Sequence, residues 1–399
     1  MPSNYSSGFY GPRSPGKQLK DLLERAGIAN SDRRLIVDYI ADKRLSHNVS
    51  ERRSLKITHT LVSFRKYLPV DFIDCTYADY QTGILGLYDI GSYTTNKPFK
   101  KNTLSDFVTI TKGFFTWMVD NNLGRLTIAD LRKVRAPKQK EDCLKPGDIL
   151  TPEEILAFID NCQSERDRAL FSFLYEGGFR VGEVAQMTWG DLEFDSYGIK
   201  TTVIFKTGKP RTVRLLSCVP YVSSWKALYP FPITNNSPVF LSRYKTPIKY
   251  GQVIDQMKTI AIRAGITKRI YPHLFRHSRI THLLADGIHE SVIKLMMWGD
   301  IQTDQLRTYA HLSSTNIDTA LFTAYNIPMQ TPDKNRSISP VICPHCSKIN
   351  PPGASYCCVC GQGLNDDAMT EADTFALYIK QNPQLLINYL KKIENTQPV

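Results

Sequence analysis

Between residues 151 and 310 a single β-hairpin signal interrupts a sequence that otherwise reads as helix. The runs 201–206 (TTVIFK) and 210–216 (PRTVRLL) are β-branched and flank Thr207-Gly208, the pattern of two strands and a tight turn. Residues 238–241 (PVFL) can add a short strand. Helical signals precede the hairpin at 166–176 and 180–188 and resume at 251–264, 274–287, 289–297 and 302–310. One hairpin among helices is incompatible with a βαβ alternation and points to an α+β, mostly helical domain with a small sheet. There is no GxGxxG and no phosphate-loop motif, so nothing indicates a nucleotide-binding fold. No internal repeat is visible.

The 399 residues exceed one typical core and suggest two or three domains. The first 142 residues read as an all-α domain behind a polar arm. Helical spacing recurs at 17–27, 31–45 (Leu35, Ile36, Tyr39, Ile40), 50–67 (opening at Ser50) and 104–121. A charged, Pro- and Gly-bearing stretch, 134–150, reads as a linker. A second domain spans 143–328. It contains Thr151-Pro152-Glu153-Glu154, a helix start with its capping box. After a further linker at 328–340 come a cysteine-rich segment at 341–364 and a helical tail at 365–399, broken at Asn382-Pro383. No stretch is long and apolar enough to span a bilayer, and the polar N-terminus has no apolar signal core, so the expectation is a cytoplasmic protein.

The net charge of +12 is uneven. Residues 1–140 hold 23 Lys and Arg against 13 Asp and Glu, whereas 341–399 hold 4 against 5. A basic N-terminal third suits a module that lies on phosphates, although a merely soluble basic surface has the same composition.

Four pieces between 151 and 328 carry chemistry. Gly177-Gly178-Phe179-Arg180-Val181-Gly182-Glu183 places an arginine after a Gly-rich turn at a helix start. Lys206 lies at the hairpin tip, with Lys209 and Arg211 as competing, ordinary hairpin charges. His273-Leu274-Phe275-Arg276-His277 follows Pro272, so His273 and Arg276 share a helix face. Tyr309-Ala310-His311 closes the series. Guanidinium groups clamp the negative oxygens of a phosphodiester in planar, bidentate fashion. A phenol, with a pKa near 10, needs cations and a proton acceptor to become a nucleophile. A departing sugar alkoxide needs a proton, which a hairpin lysine can deliver. The scheme needs no metal.

The segments FLYEGGFRVGE, VIFKTGKPRTVRL, PHLFRHSRITHLL and RTYAHLS resemble, in order and spacing, the signature boxes of tyrosine recombinases, the phage-type integrase family found in archaeal and bacterial site-specific integrases. Phe179 stands where the family usually has Leu. The resemblance implies that Arg180 and Arg276 clamp the scissile phosphate, that Lys206 is the general acid for the 5′-oxygen, and that His273 assists proton transfer at Tyr309. Tyr309 would attack and hold a 3′-phosphotyrosyl bond, so that rejoining needs no ATP. Glu183 would support the helix behind Arg180, and His277 would sit behind the reacting groups. The family's Gly-His or Gly-Trp pair before the tyrosine is replaced by Met297-Trp298-Gly299-Asp300. Trp298 either donates its indole N–H to the phosphate or packs as a core aromatic; Asp300, being negative, is a poor phosphate ligand.

The function implied is site-specific DNA recombination, with the N-terminal and catalytic domains clamping duplex DNA and four protomers on two sites. Alternatives are a sequence-specific DNA-binding protein with a decayed site, a chromosome-dimer resolving recombinase, and a type IB topoisomerase, against which the missing long linker and short catalytic domain argue.

Nine cysteines do not form the framework of a small secreted domain. Cys343-Pro-His-Cys346 and Cys357-Cys-Val-Cys360 are paired CxxC knuckles, which read as a structural Zn2+ ribbon. Gly361 allows the tight turn after the second knuckle, Cys358 and His345 lie adjacent, and redox dithiols are the competing reading. The apolar residues of 370–394 suit either packing on the chain's own domain or a protein–protein contact.

Overall fold

The structure is a computed structural model, which describes residues 15–138, 145–204, 210–312, 325 and 338–394. The chain forms two compact units, Met1–Asp142 and Cys143–Val399.

In the first unit six helices are described: α1 (Pro15–Arg25), α2 (Asn30–His47), α3 (Glu51–Arg65), α4 (Tyr77–Asp89), α5 (Lys101–Asp120) and α6 (Ile128–Lys133). Ser50 caps α3 by accepting the Arg53 N–H, as its position suggests. Helix α4 is not visible as a helical period in the sequence. Thr76 and Asp79 nevertheless form its capping box. The core is aromatic: Phe72, Tyr80, Phe114 and Phe115 meet edge to face at 4.9–5.8 Å between ring centres. Asp32, in the first turn of α2, lies fully buried. It accepts the Phe72 N–H at 2.8 Å and the Arg65 guanidinium at 2.5 Å. Burial pushes its carboxyl above the usual carboxylate range despite these bonds.

The second unit opens with α7 (Pro152–Asp160) and α8 (Glu165–Glu176). Thr151 and Glu154 cap α7 reciprocally, as expected. A short α9 (Val181–Val184) replaces the longer helix expected over 180–188. The hairpin is present as β2 (Gly198–Ile204) and β3 (Pro210–Leu215), antiparallel with Thr201 opposite Val213. An additional strand, β1 (Leu192–Asp195), pairs with β2. Residues 238–241 form isolated bridges and no strand. Helices α10 (Val219–Ala227), α11 (Tyr250–Arg263), α12 (Pro272–Ala285) and α13 (Glu290–Trp298) follow, and Gln305–Leu312 is 3-10 helix where the periodicity suggested an α-helix. Phe158, Phe171 and Phe275 pack α7, α8 and α12 together. Strands β4 (Val341–Ile342) and β5 (Ile349–Asn350) pair antiparallel. Two helices, α14 (Asp366–Gln381) and α15 (Pro383–Glu394), end the unit, separated at Asn382-Pro383 as expected. The fold is thus α+β and mostly helical. No helix of the described residues is long and apolar enough to cross a membrane.

Candidate active site

Helix α8 stops at Glu176 because Gly177-Gly178 turns the chain. Gly178 has φ +54°, and a Cβ there would lie 2.5 Å from the Met297 sulfur. The turn therefore favours glycine and brings its backbone against the Met297 side chain at the end of α13. It also aims the Gly178 carbonyl at α12, where Arg276 donates to it at 2.6 Å and to the Met297 carbonyl at 2.7 Å. Arg276 is 4% exposed, and its guanidinium lies 5.1 Å from the centre of the Trp298 ring. Trp298 is half-buried beside the apolar cluster of Ile280, Leu283 and Met297. Asp300 accepts the Gln302 N–H within its turn.

Arg180 begins α9. Its N–H and guanidinium both bond the Glu183 carboxylate, at 2.8 and 3.0 Å. The other partner of Glu183 is Arg211, at 2.6 Å. Arg211 is a correction to the sequence reading, in which it was an ordinary hairpin charge. It is buried, donates to the Met296 carbonyl at 2.6 Å, and lies 5.1 Å from the Phe179 ring centre. Strand parity explains this. Arg211, Val213 and Leu215 share the inward face of β3. That signal was available in the sequence. Phe179, in place of the family's Leu, stacks on Phe173 at 4.8 Å.

Among the described residues, then, Arg180 and Arg211 bond one carboxylate, Glu183, and Arg276 lies within its electrostatic reach. Burial and the Arg180 and Arg211 cations lower Arg276 to about 9, which still leaves it charged at neutral pH. A cluster of guanidinium groups of this kind favours an entering anion. Lys206 and Lys209 lie outside the described residues.

Tyr309, in the 3-10 turn, is 4% exposed. Burial pushes its phenol up to about 12, while Arg276 and Arg180 pull the other way. Its hydroxyl meets His277 Nδ1 at 2.5 Å. The imidazole on the phenol is thus His277 and not His273, the reverse of the arrangement the sequence resemblance implied. His273 is exposed, with its ring centre 6.3 Å from that of His277. Partial burial, then Arg276 and Arg180, lower its pKa.

The four knuckle cysteines converge at the far end of the chain, their sulfur atoms all within 4.8 Å of one another. The pairs Cys343–Cys360 and Cys346–Cys357 are each 3.6 Å apart. Tetrahedral Zn–S bonds of about 2.3 Å require sulfur atoms about 3.8 Å apart, so the set fits one such ion. Each knuckle ends in a positive-φ residue, Ser347 (φ 56°) or Gly361 (φ 72°). The Asn350 side chain, fully buried, accepts the Cys358 N–H and braces the second knuckle.

Comparison with known proteins agrees with this geometry. The model of the phage integrase family matches residues 148–316. Tyrosine recombinase XerC of Xylella fastidiosa is 32% identical over 207 residues, half of this chain and 67% of that protein. Tyrosine recombinase XerD of Staphylococcus saprophyticus is 29% identical over 290 residues, 69% of this chain and 92% of that protein. A crystal structure of a lambda integrase (75–356) dimer bound to a COC′ core site shares the fold. Its TM-score is 0.54 at 16% identity, covering 67% of this chain and 95% of that one. This chain belongs to the tyrosine recombinase family, whose enzymes are site-specific recombinases.

Proposed function

We propose that the protein cleaves and rejoins DNA at specific sites through a 3′-phosphotyrosyl bond on Tyr309. The observation that carries this reading is the excess of buried positive charge beside a buried phenol. Arg180 and Arg276 bind the non-bridging oxygens of the scissile phosphate and stabilise the charge that builds there in the transition state. Arg276 comes pre-aimed by two carbonyls, so it loses little freedom when the phosphate arrives. Trp298 backs Arg276 through its ring face. Tyr309 Oη attacks phosphorus, the P–O5′ bond breaks, and Lys206 protonates the departing 5′-oxygen, with His273 at the phosphate. The phosphotyrosyl bond conserves the energy of the broken one, so the reverse step with a new 5′-hydroxyl needs no ATP. The basic first unit lies on the duplex, and four protomers on two sites exchange strands. The ribbon appended to the recombinase core favours an integrase of a mobile element.

The cysteine knuckles hold a structural Zn2+ remote from this chemistry. Chelation is expected to unfold residues 341–364 and to leave strand cleavage within about threefold. Loss of cleavage in step with zinc, followed by atomic absorption, would contradict a purely structural ribbon.

A nicked suicide substrate tests the main reading. The wild-type protein is expected to accumulate a covalent DNA adduct, and Tyr309→Phe to bind the same DNA without one. An adduct that persists in Tyr309→Phe refutes the assignment. DNA binding without any adduct in the wild type marks a decayed, binding-only protein. Relaxation of supercoils lacking the target site marks a topoisomerase.

A further inference from the structure

We infer that His277 is a catalytic residue: its Nδ1 removes the phenol proton of Tyr309 as that oxygen attacks phosphorus. The inference deepens the proposed function and rests on Tyr309 being the nucleophile.

The geometry is direct. The Tyr309 hydroxyl lies 2.5 Å from His277 Nδ1, and the two ring centres are 5.5 Å apart. With the imidazole proton on Nε2, Nδ1 is an acceptor and the phenol O–H its donor. A general base must stand within hydrogen-bond reach of the proton it takes, and His277 does. His273, whose exposed ring feels the Arg276 and Arg180 cations and the Glu183 carboxylate, makes no hydrogen bond to Tyr309 among the described residues.

The surroundings also keep the His277 ring unprotonated. The charged and titratable groups that face the His277 ring, among the described residues, are His273 and Arg276 from α12 and Tyr309 from the following turn. Arg180 and Tyr271 act on the phenol. Burial, then the two neighbours on its own helix, lower His277 to about 4. The ring is therefore neutral and able to accept at neutral pH. A phenol raised to about 12 is almost wholly protonated there and cannot attack without an acceptor.

The step balances. The Oη–P bond forms as P–O5′ breaks, the phenol proton moves to His277 Nδ1, and the 5′-oxygen takes a proton from the general acid. Rejoining returns the proton from His277 to the phenol.

The test is single-turnover cleavage by the full chain. It uses a suicide substrate whose 5′-bridging oxygen is sulfur, a leaving group that needs no acid. The wild-type rate is expected to be level between pH 6 and 9. His277→Asn is expected to lose about 10²–10⁴-fold at pH 7 and to gain about tenfold per pH unit, as hydroxide replaces the base. Added imidazole is expected to restore part of the rate of His277→Gly. A uniform loss at every pH without imidazole rescue, or no loss, overturns the role. If His277→Asn no longer binds DNA, nitrogen NMR of labelled histidines decides. Tyr309→Phe is expected to shift the His277 Nδ1 resonance and to leave His273 in place; no shift at His277 overturns the inference. An adduct in Tyr309→Phe, by contrast, refutes the proposed function itself.

Discussion

Asp32 in the first unit and Arg276 in the second are both hidden from water, yet only Asp32 is hydrogen-bonded to an opposite charge. Asp32 and Arg65 close a local ion pair, and Asp71 takes the remaining edge of Arg65. Among the described residues around Arg276, Arg180 and Arg211 stand with one carboxylate, Glu183, and carbonyl oxygens hold the guanidinium in place. The first arrangement is what a fold does with charge it must bury. The second gathers like charge around carbonyl oxygens, an arrangement that an anionic ligand would relieve.

Replacing Arg276 by Met sharpens this contrast most. Cleavage of the suicide substrate is expected to fall about 10³-fold or more, as it does when a transition-state donor is removed. The unfolding free energy of the second unit in urea is expected to change by no more than about 1–3 kcal/mol, the cost of two carbonyls that lose their donor. A stability loss above about 3 kcal/mol would show that Arg276 is structural, and the contrast would fail. Glu183→Leu removes the carboxylate that Arg180 and Arg211 share and strands Arg211. Urea unfolding should register a loss of about 3–5 kcal/mol. The matching change in the first unit, Asp32→Leu, leaves Arg65 with Asp71 and should cost about 1–3 kcal/mol. Equal losses would mean that both clusters are structural pairs of the same kind.

Acid provides the gentlest probe. His277 and His282 are each lowered to about 4 by burial, with Arg276 and His273 adding at His277 and Arg279 at His282. Unfolded histidine titrates near 6.5. Between those values the unfolded chain binds more protons, so stability is present above about 6.5 and declines as pH falls toward 4. The ceiling is about 3 kcal/mol per histidine. Thermal melts of the second unit from pH 7 to 4.5 should show it, and a flat profile would place both rings in water.

Much of the site was legible in the sequence because its parts are local. A Gly-Gly turn before Arg180, a proline-started helix carrying His273 and Arg276, and a β-branched hairpin are each set by a few neighbouring residues. What escaped depends on the third dimension. Arg211 looked like one of several hairpin charges; its parity with Val213 and Leu215 was legible, but its partner Glu183, 28 residues away, was not. His277 neighbours Arg276 in sequence, but its partner is 32 residues away. Helix α4 was hidden by Gly83 and Gly86, poor helix formers. Gly83 is there because a Cβ would lie 2.7 Å from Leu68 and 3.1 Å from Phe64. The stretch 305–312 carries an apolar period but winds as 3-10 helix, a difference in hydrogen bonding that side-chain spacing does not encode.

Gly299 ends α13 at φ +68°, and a Cβ on it would lie 2.7 Å from the Pro210 carbonyl. The first residue of β3 and the last turn of α13 thus touch backbone to backbone, with no side chain between them to absorb movement. The close approach fixes the distance between the hairpin base and the turn that follows α13. Bulk added at this one bare α-carbon would press on the Pro210 carbonyl and drive the start of β3 and the end of α13 apart.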